Sequence, residues 1–213
     1  MTRPAPLIDA AALLARLLAA EDGARRIVAI AGAPGSGKST LAEALVGGAN
    51  AARPGFAALL PMDGFHYDDR VLEARGLRPR KGAPETFDTG GLDHALARLA
   101  ARDEAEVAVP VFDRAIEIAR AGARIIPRSA DLIVAEGNYL LLDAEPWRRL
   151  QRHFGLTVFL DVAEEVLHAR LTARWQHFGL PPEAIRAKLE ENDLPNARLV
   201  RAASLKPDFR LAG

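Results

Sequence analysis

Gly32-Ala33-Pro34-Gly35-Ser36-Gly37-Lys38-Ser39-Thr40 decides how this chain folds. The stretch fits the pattern G-x-x-x-x-G-K-[ST], and it lies between two readable elements. Before it, Arg26 to Ala31 is a short run rich in Ile and Val, which suits a buried strand. After it, the residues from about Lys38 to Val46 suit a helix. Glycines let successive backbone N–H groups turn inward around phosphate oxygens. The helix aims its positive dipole end at the same place. Lys38 is then placed to reach the β- and γ-phosphates of ATP, and the Ser39 hydroxyl to ligate Mg2+. A ligand-free glycine turn at a strand exit has no need of Lys-Ser at this spacing.

Outward from this loop, buried-strand candidates alternate with helices. Strands are expected at Phe56–Pro61, Leu132–Ala135, Leu156–Leu160 and Phe209–Leu211. Val107–Phe112 and Arg124–Ile126 read as extended segments. Helices are expected at Leu7–Ala20, Leu92–Ala101, Pro146–Phe154, Ala163–Phe178, Pro182–Glu191 and Ala197–Ala203. The segment Gly64–Thr89 is rich in Gly, Pro and charge and reads as loop with short helix. Alternation of this kind predicts an α/β fold, a parallel sheet with helices on both faces. One domain over residues 1–213, with a helical lid near 163–195, accommodates every element.

Composition narrows the function. Twenty-eight basic and 28 acidic residues balance, so no global charge points to nucleic acid. No cysteine is present, which excludes disulfides, thiolate metal sites and cysteine nucleophiles and fits a reducing cytoplasm. No uncharged run approaches the roughly 20 residues of a membrane-spanning helix. Asp9 and Arg16 interrupt the apolar start, which therefore reads as an amphipathic helix rather than a signal peptide.

In open α/β sheets, ligands sit beyond the carboxyl ends of the strands. Asp63, Glu136 and Asp161 occupy such ends. Asp63 can take a proton from an attacking hydroxyl, or simply cap an Asp-Gly turn. Glu136 suits a position near the metal, or a paired structural carboxylate. Asp161 suits a helix N-cap. Arg170 and Arg174 are four residues apart on one expected helix face, as a phosphate clamp or as solvated arginines. Arg75, Arg78, Arg80 and Lys81 form a basic cluster that suits either an anionic acceptor group or a solvated loop. His66 and Tyr67 neighbour Asp63. Asn196 suits a helix cap.

Several further stretches follow the phosphate loop in order: Met62-Asp63-Gly64-Phe65-His66-Tyr67, Arg80-Lys81-Gly82-Ala83-Pro84-Glu85-Thr86-Phe87-Asp88, Val109-Pro110-Val111-Phe112-Asp113-Arg114 and Glu136-Gly137-Asn138-Tyr139-Leu140-Leu141-Leu142. Together they resemble the phosphoribulokinase, uridine kinase and bacterial pantothenate kinase family, and within it the bacterial group provisionally named fructose transport system kinases. The resemblance runs from about residue 25 to the C-terminus. It implies a P-loop kinase fold, ATP with Mg2+ as donor, and a small-molecule alcohol such as a sugar, nucleoside or pantothenate-like compound as acceptor. Carried over by position, it makes Asp63 the general base and places Ser39 and Glu136 at the metal. Phe87, Asp88, Phe112 and Asp113 then line the acceptor pocket, with His66, Tyr67 and Arg80 beside it. It also supports Lys38, Arg170 and Arg174 as groups that balance phosphate charge, and its pattern brings Asn196 towards the adenine of the nucleotide. Uridine kinases carry a tyrosine where Phe112 stands and a histidine where Glu117 stands, which argues against uridine as acceptor. A nucleotide-dependent regulatory or transport-associated protein is the alternative. No Asn-Lys-x-Asp guanine-reading sequence is present, which argues against a GTPase switch. A homodimer stays open.

Overall fold

The computed structural model describes residues 4–19 and 25–213. Five strands form one fully parallel sheet in the order β2-β5-β1-β6-β7. They are β1 (Arg26–Gly32), β2 (Ala57–Pro61), β5 (Leu132–Gly137), β6 (Leu156–Asp161) and β7 (Phe209–Ala212). The remaining two, β3 (Glu106–Asp113) and β4 (Ile118–Pro127), pair antiparallel as a separate hairpin. The helices are α1 (Ala10–Leu18), α2 (Lys38–Ala52), α3 (Asp69–Ala74), α4 (Thr89–Ala101), α5 (Glu164–His177), α6 (Pro182–Lys188) and α7 (Leu194–Ala203).

The pleat of β1 explains why the sheet needs cover on both sides. Ile27, Ala29 and Ala31 enter one core with Leu92, Leu96 and Leu99 of α4, while Val28 and Ile30 enter a second core with α1, α2 and α5. A strand buried on both faces reads as an unbroken apolar run, which is why Arg26 to Ala31 shows no alternation. The expected parallel sheet with helices on both faces is thus what the chain forms.

The differences have local causes. α2 continues past Val46 to Ala52 through Gly47 and Gly48. A Cβ on Gly48 would sit 2.7 Å from Leu14 Cδ2, so this glycine lets α1 lie close against α2 rather than ending the helix. β4 is ten residues long, not three, because nearly all of it faces outward and only Ile126 is buried. Trp147–His153 is a 3₁₀ turn rather than an α-helix. Between α6 and α7, Leu189–Asp193 winds as a π turn, so no break separates the two helices. Asp161 does not cap α5: Ala163 holds that position, and Asp161 pairs with Arg210 and Arg201. Ala20, the expected last residue of the first helix, lies outside the described residues.

Strand register sets the rim at the carboxyl ends of the strands. Ala31 lies opposite Gly137, and Pro61 opposite Glu136. The loops leaving β1 and β2 therefore emerge on either side of the end of β5. After β2 the chain makes a tight 3₁₀ turn, Met62–Phe65, whose Gly64 lies against the hairpin. A Cβ there would fall 2.3 Å from the Pro110 carbonyl oxygen, which is backbone and cannot swing aside. Gly64→Ala is expected to destabilise the protein by about 1–3 kcal/mol, the usual range for an overpacked site. Urea denaturation measures it, and an unchanged midpoint would show that the turn and hairpin do not meet so closely.

Candidate active site

The phosphate loop takes the shape its glycines allow. Gly35 and Gly37 have φ of 77° and 93°, backbone geometry that side chains rarely adopt. Gly37 is the N-cap of α2, so the helix begins at Lys38 with its first amides facing the loop. The Arg170 guanidinium donates to the Ser36 carbonyl at 3.0 Å and so lies over the back of the loop. Ser36 Oγ is buried and finds no hydrogen-bond partner among the described residues.

A cleft of about 450 Å³ opens beside the loop. Lys38, Asp63, His66, Phe87, Phe112 and Arg174 all line it. The two loops that carry its acceptor side are laced together. The amide of Tyr67 donates to the Thr86 carbonyl at 3.0 Å, and that of Asp88 to the Phe65 carbonyl at 2.8 Å. His66 stacks between Phe87 and Phe112, with ring centroids 4.0 and 4.8 Å away, and its Nδ1 lies 2.8 Å from the Asp63 carbonyl. Burial pushes the imidazole below its ordinary pKa, against the pull of the Asp63 carboxylate.

The charges at the rim depend on one another. Burial lowers the pKa of Lys38, while the carboxylates of Glu136 and Asp63 act to keep it charged. Burial likewise opposes the charge of Asp63, but His66, Arg114, Lys38 and Arg174 outweigh it and hold the carboxyl below the ordinary aspartate range. Glu136, only 4 % exposed, goes the other way: burial, joined by the Asp63 charge, raises its pKa against the pull of Lys38, Ser39 and Arg114. Asp63 and Glu136 thus differ in proton affinity although both act on the same Lys38 ammonium.

No group of three or more His, Asp or Glu side chains among the described residues is arranged to hold a metal. The rim does offer the sparse ligand set that Mg2+ uses with a polyphosphate, one or two protein oxygens completed by phosphates and water. The Ser39 hydroxyl lies 3.1 Å from Glu136 Oε2, and the buried Asn138 Oδ1 on the cleft wall has no hydrogen-bond partner among the described residues. These residues fit the ion.

Of the other residues singled out in the sequence, Asn196 lines the cleft, while Tyr67, Arg80, Asp88 and Asp113 do not. Tyr67 stacks under Arg75, 4.5 Å from its ring. Asp88 caps α4 by accepting from the Gly91 amide, and Asp113 accepts from the Ala115 amide in the hairpin turn. Arg80 reaches across to the Glu191 carbonyl at 3.0 Å, which ties the loop before α4 to the π turn. Asn196 is buried at the cleft wall and donates to Asn192. Sequence reasoning gave no role to Arg114, whose guanidinium lies 2.5 Å from Asp63 Oδ2. It ends the stretch Val109 to Arg114, so its place in line was visible although its contact was not. Trp175 and Lys188 also line the cleft, with the ammonium 4.6 Å over the indole.

A parallel sheet, a glycine loop leading into a partly buried lysine and an acid on the neighbouring strand define a P-loop kinase fold. The solved structure of a Silicibacter sp. TM1040 protein, provisionally named a fructose transport system kinase, matches with a TM-score of 0.87 at 43% identity over 95% of this chain and 98% of that one. The profile of the phosphoribulokinase / uridine kinase family matches residues 27–176, and the chain belongs to that family. Escherichia coli YggC, itself uncharacterized, is 35% identical over 193 residues, covering 88% of this chain and 78% of its own. A Schizosaccharomyces pombe protein provisionally named uridine kinase is 34% identical over 199 residues, covering 88% and 83%.

Glu136→Gln tests the metal fit. The gain in ATP affinity on adding Mg2+ is expected to shrink by about tenfold or more, as for other groups that orient a metal. Calorimetric titrations with and without the ion measure it, and an undiminished gain would remove Glu136 from the metal's surroundings.

Proposed function

We propose that this protein transfers the γ-phosphoryl group of ATP, with Mg2+, to a hydroxyl of a small molecule. One observation carries the reading: the Lys38 ammonium and the Asp63 carboxylate line the same cleft and are electrostatically coupled. Donor and base thus face one volume.

The loop amides and Lys38 hold the β- and γ-phosphates, and Arg174 faces them from α5. Burial lowers the pKa of Arg174, but the guanidinium keeps its charge at neutral pH because its ordinary value is so high. Asp63 accepts the proton of the acceptor hydroxyl as that oxygen bonds to the γ-phosphorus. The bond from the γ-phosphorus to the bridging oxygen breaks, and its electron pair leaves with ADP. Ser39 and Glu136 would hold Mg2+, which when bound would supply neutralising charge to the phosphates. The region 163–195 serves as the lid: Arg174, Trp175 and Asp193 line the cleft, and closure there excludes water from the transfer. The absence of cysteine suits work in the cytoplasm.

Asp63→Asn removes the proton acceptor while keeping the side chain's size. It should still bind ATP, with acceptor-stimulated ADP release reduced by about 10²–10⁴-fold, the range for loss of a general base. Full turnover in that variant would exclude Asp63 as the base.

A further inference from the structure

The cleft wall around Phe112 holds a charge balance that phosphoryl transfer alone would break. Lys81 Nζ lies 5.2 Å and Arg114 Cζ 5.5 Å from the centre of the Phe112 ring. Arg78 lines the same cleft. Behind these cations stand two carboxylates. Asp69 is shared, 2.7 Å from Lys81 Nζ and 2.9 Å from Arg78 Nε, and Glu117 lies 4.0 Å from Lys81 Nζ. Lys81 is only 10 % exposed and also donates to the Glu117 carbonyl, so it is fixed in place. The third cation, Arg114, is balanced by Asp63 alone among the described carboxylates within ion-pair distance.

Asp63 is the group that gives up its charge in the reaction. When it takes the hydroxyl proton it becomes neutral, and three cations then face two carboxylates in a partly desolvated wall. The Arg114 guanidinium, 43 % exposed on the cleft wall, then lacks its ion-pair partner and is free to meet another anion. A guanidinium also presents a planar fork that fits carboxylate or phosphate oxygens two at a time.

We propose that the acceptor is an alcohol bearing one anionic group, a carboxylate or a phosphate, and that Arg114 binds this group as it releases Asp63. The inference rests on the phosphoryl-transfer reading above. Arg114 therefore determines acceptor specificity, and in the free protein it holds the base in an ion pair. Lys81 supports the wall from the side, and Phe112 and Phe87 pack against the carbon skeleton.

Two experiments test it. In the first, acceptor-stimulated ADP release is measured for matched pairs: glycerol against glycerate and glycerol 3-phosphate, and fructose against its 1- and 6-phosphates. The charged partner is expected to be preferred in kcat/KM by about 10–100-fold, the worth of a hydrogen bond to a charged group. In Arg114→Gln that preference should fall towards unity, and Arg114→Lys should restore part of it. Equal use of neutral and charged partners, or an unaltered preference in Arg114→Gln, overturns the proposal.

The second experiment needs no turnover. The Nε–H resonance of Arg114, identified by its loss in Arg114→Lys, is followed in the free protein and with a non-hydrolysable ATP analogue. Methyl phosphate, acetate and methanol are titrated in turn. A saturable shift with methyl phosphate or acetate and none with methanol is expected, and the anion that acts names the group. No shift with either anion overturns the inference. A protein that binds these anions at Arg114 but shows no acceptor-stimulated ADP release would instead contradict the kinase reading.

Discussion

Lys38 is a cation in a place where burial opposes its charge, and two carboxylates from neighbouring strands, Asp63 and Glu136, act to keep it ionised. The rest of the site depends on that interaction. It requires β1 to lie beside β5, and β5 beside β2, with ends level enough for three loops to meet. Parallel pairing supplies the level ends, and two apolar cores, one on each face, hold the strands in place. A slip of one residue in β5 would carry Glu136 to the other face of the sheet.

Around this centre the cleft has two unlike sides. The phosphate side is made of backbone, glycine geometry and a helix N-terminus. The acceptor side is made of side chains on loops tied to each other, with His66 between two phenylalanine rings and Tyr139 donating its hydroxyl proton to the Gly82 carbonyl at 2.6 Å. The π turn after α6 joins this side through Arg80 and Asn192, each bonded across more than a hundred residues of sequence.

Much of this is legible in the sequence, for identifiable reasons. The phosphate loop is local: its spacing alone fixes which atoms converge. β1, β2, β5 and β6 are legible as apolar runs because burial on both faces leaves little room for polar residues. The hairpin strand β4 is not, since a mostly exposed strand carries no apolar pattern. Which acids and bases meet is only half legible. Asp63 and Glu136 stand at strand ends, a position with meaning in this architecture. The ion pair of Asp63 with Arg114 joins residues 51 apart through a hairpin whose register is set by a bulge at Pro110, and no spacing rule reaches that far. Tyr67 and Asp113 show the converse: they sit beside cleft residues in sequence, yet Tyr67 packs on Arg75 and Asp113 accepts from the Ala115 amide.

The most direct measurement is a calorimetric titration of ATP into the folded protein with Mg2+ present. A loop that closes its amides and Lys38 around a triphosphate predicts saturable uptake of one nucleotide per chain, lost when Lys38 is replaced by Met. No detectable uptake by well-folded protein, or equal uptake without the Lys38 ammonium, would contradict it.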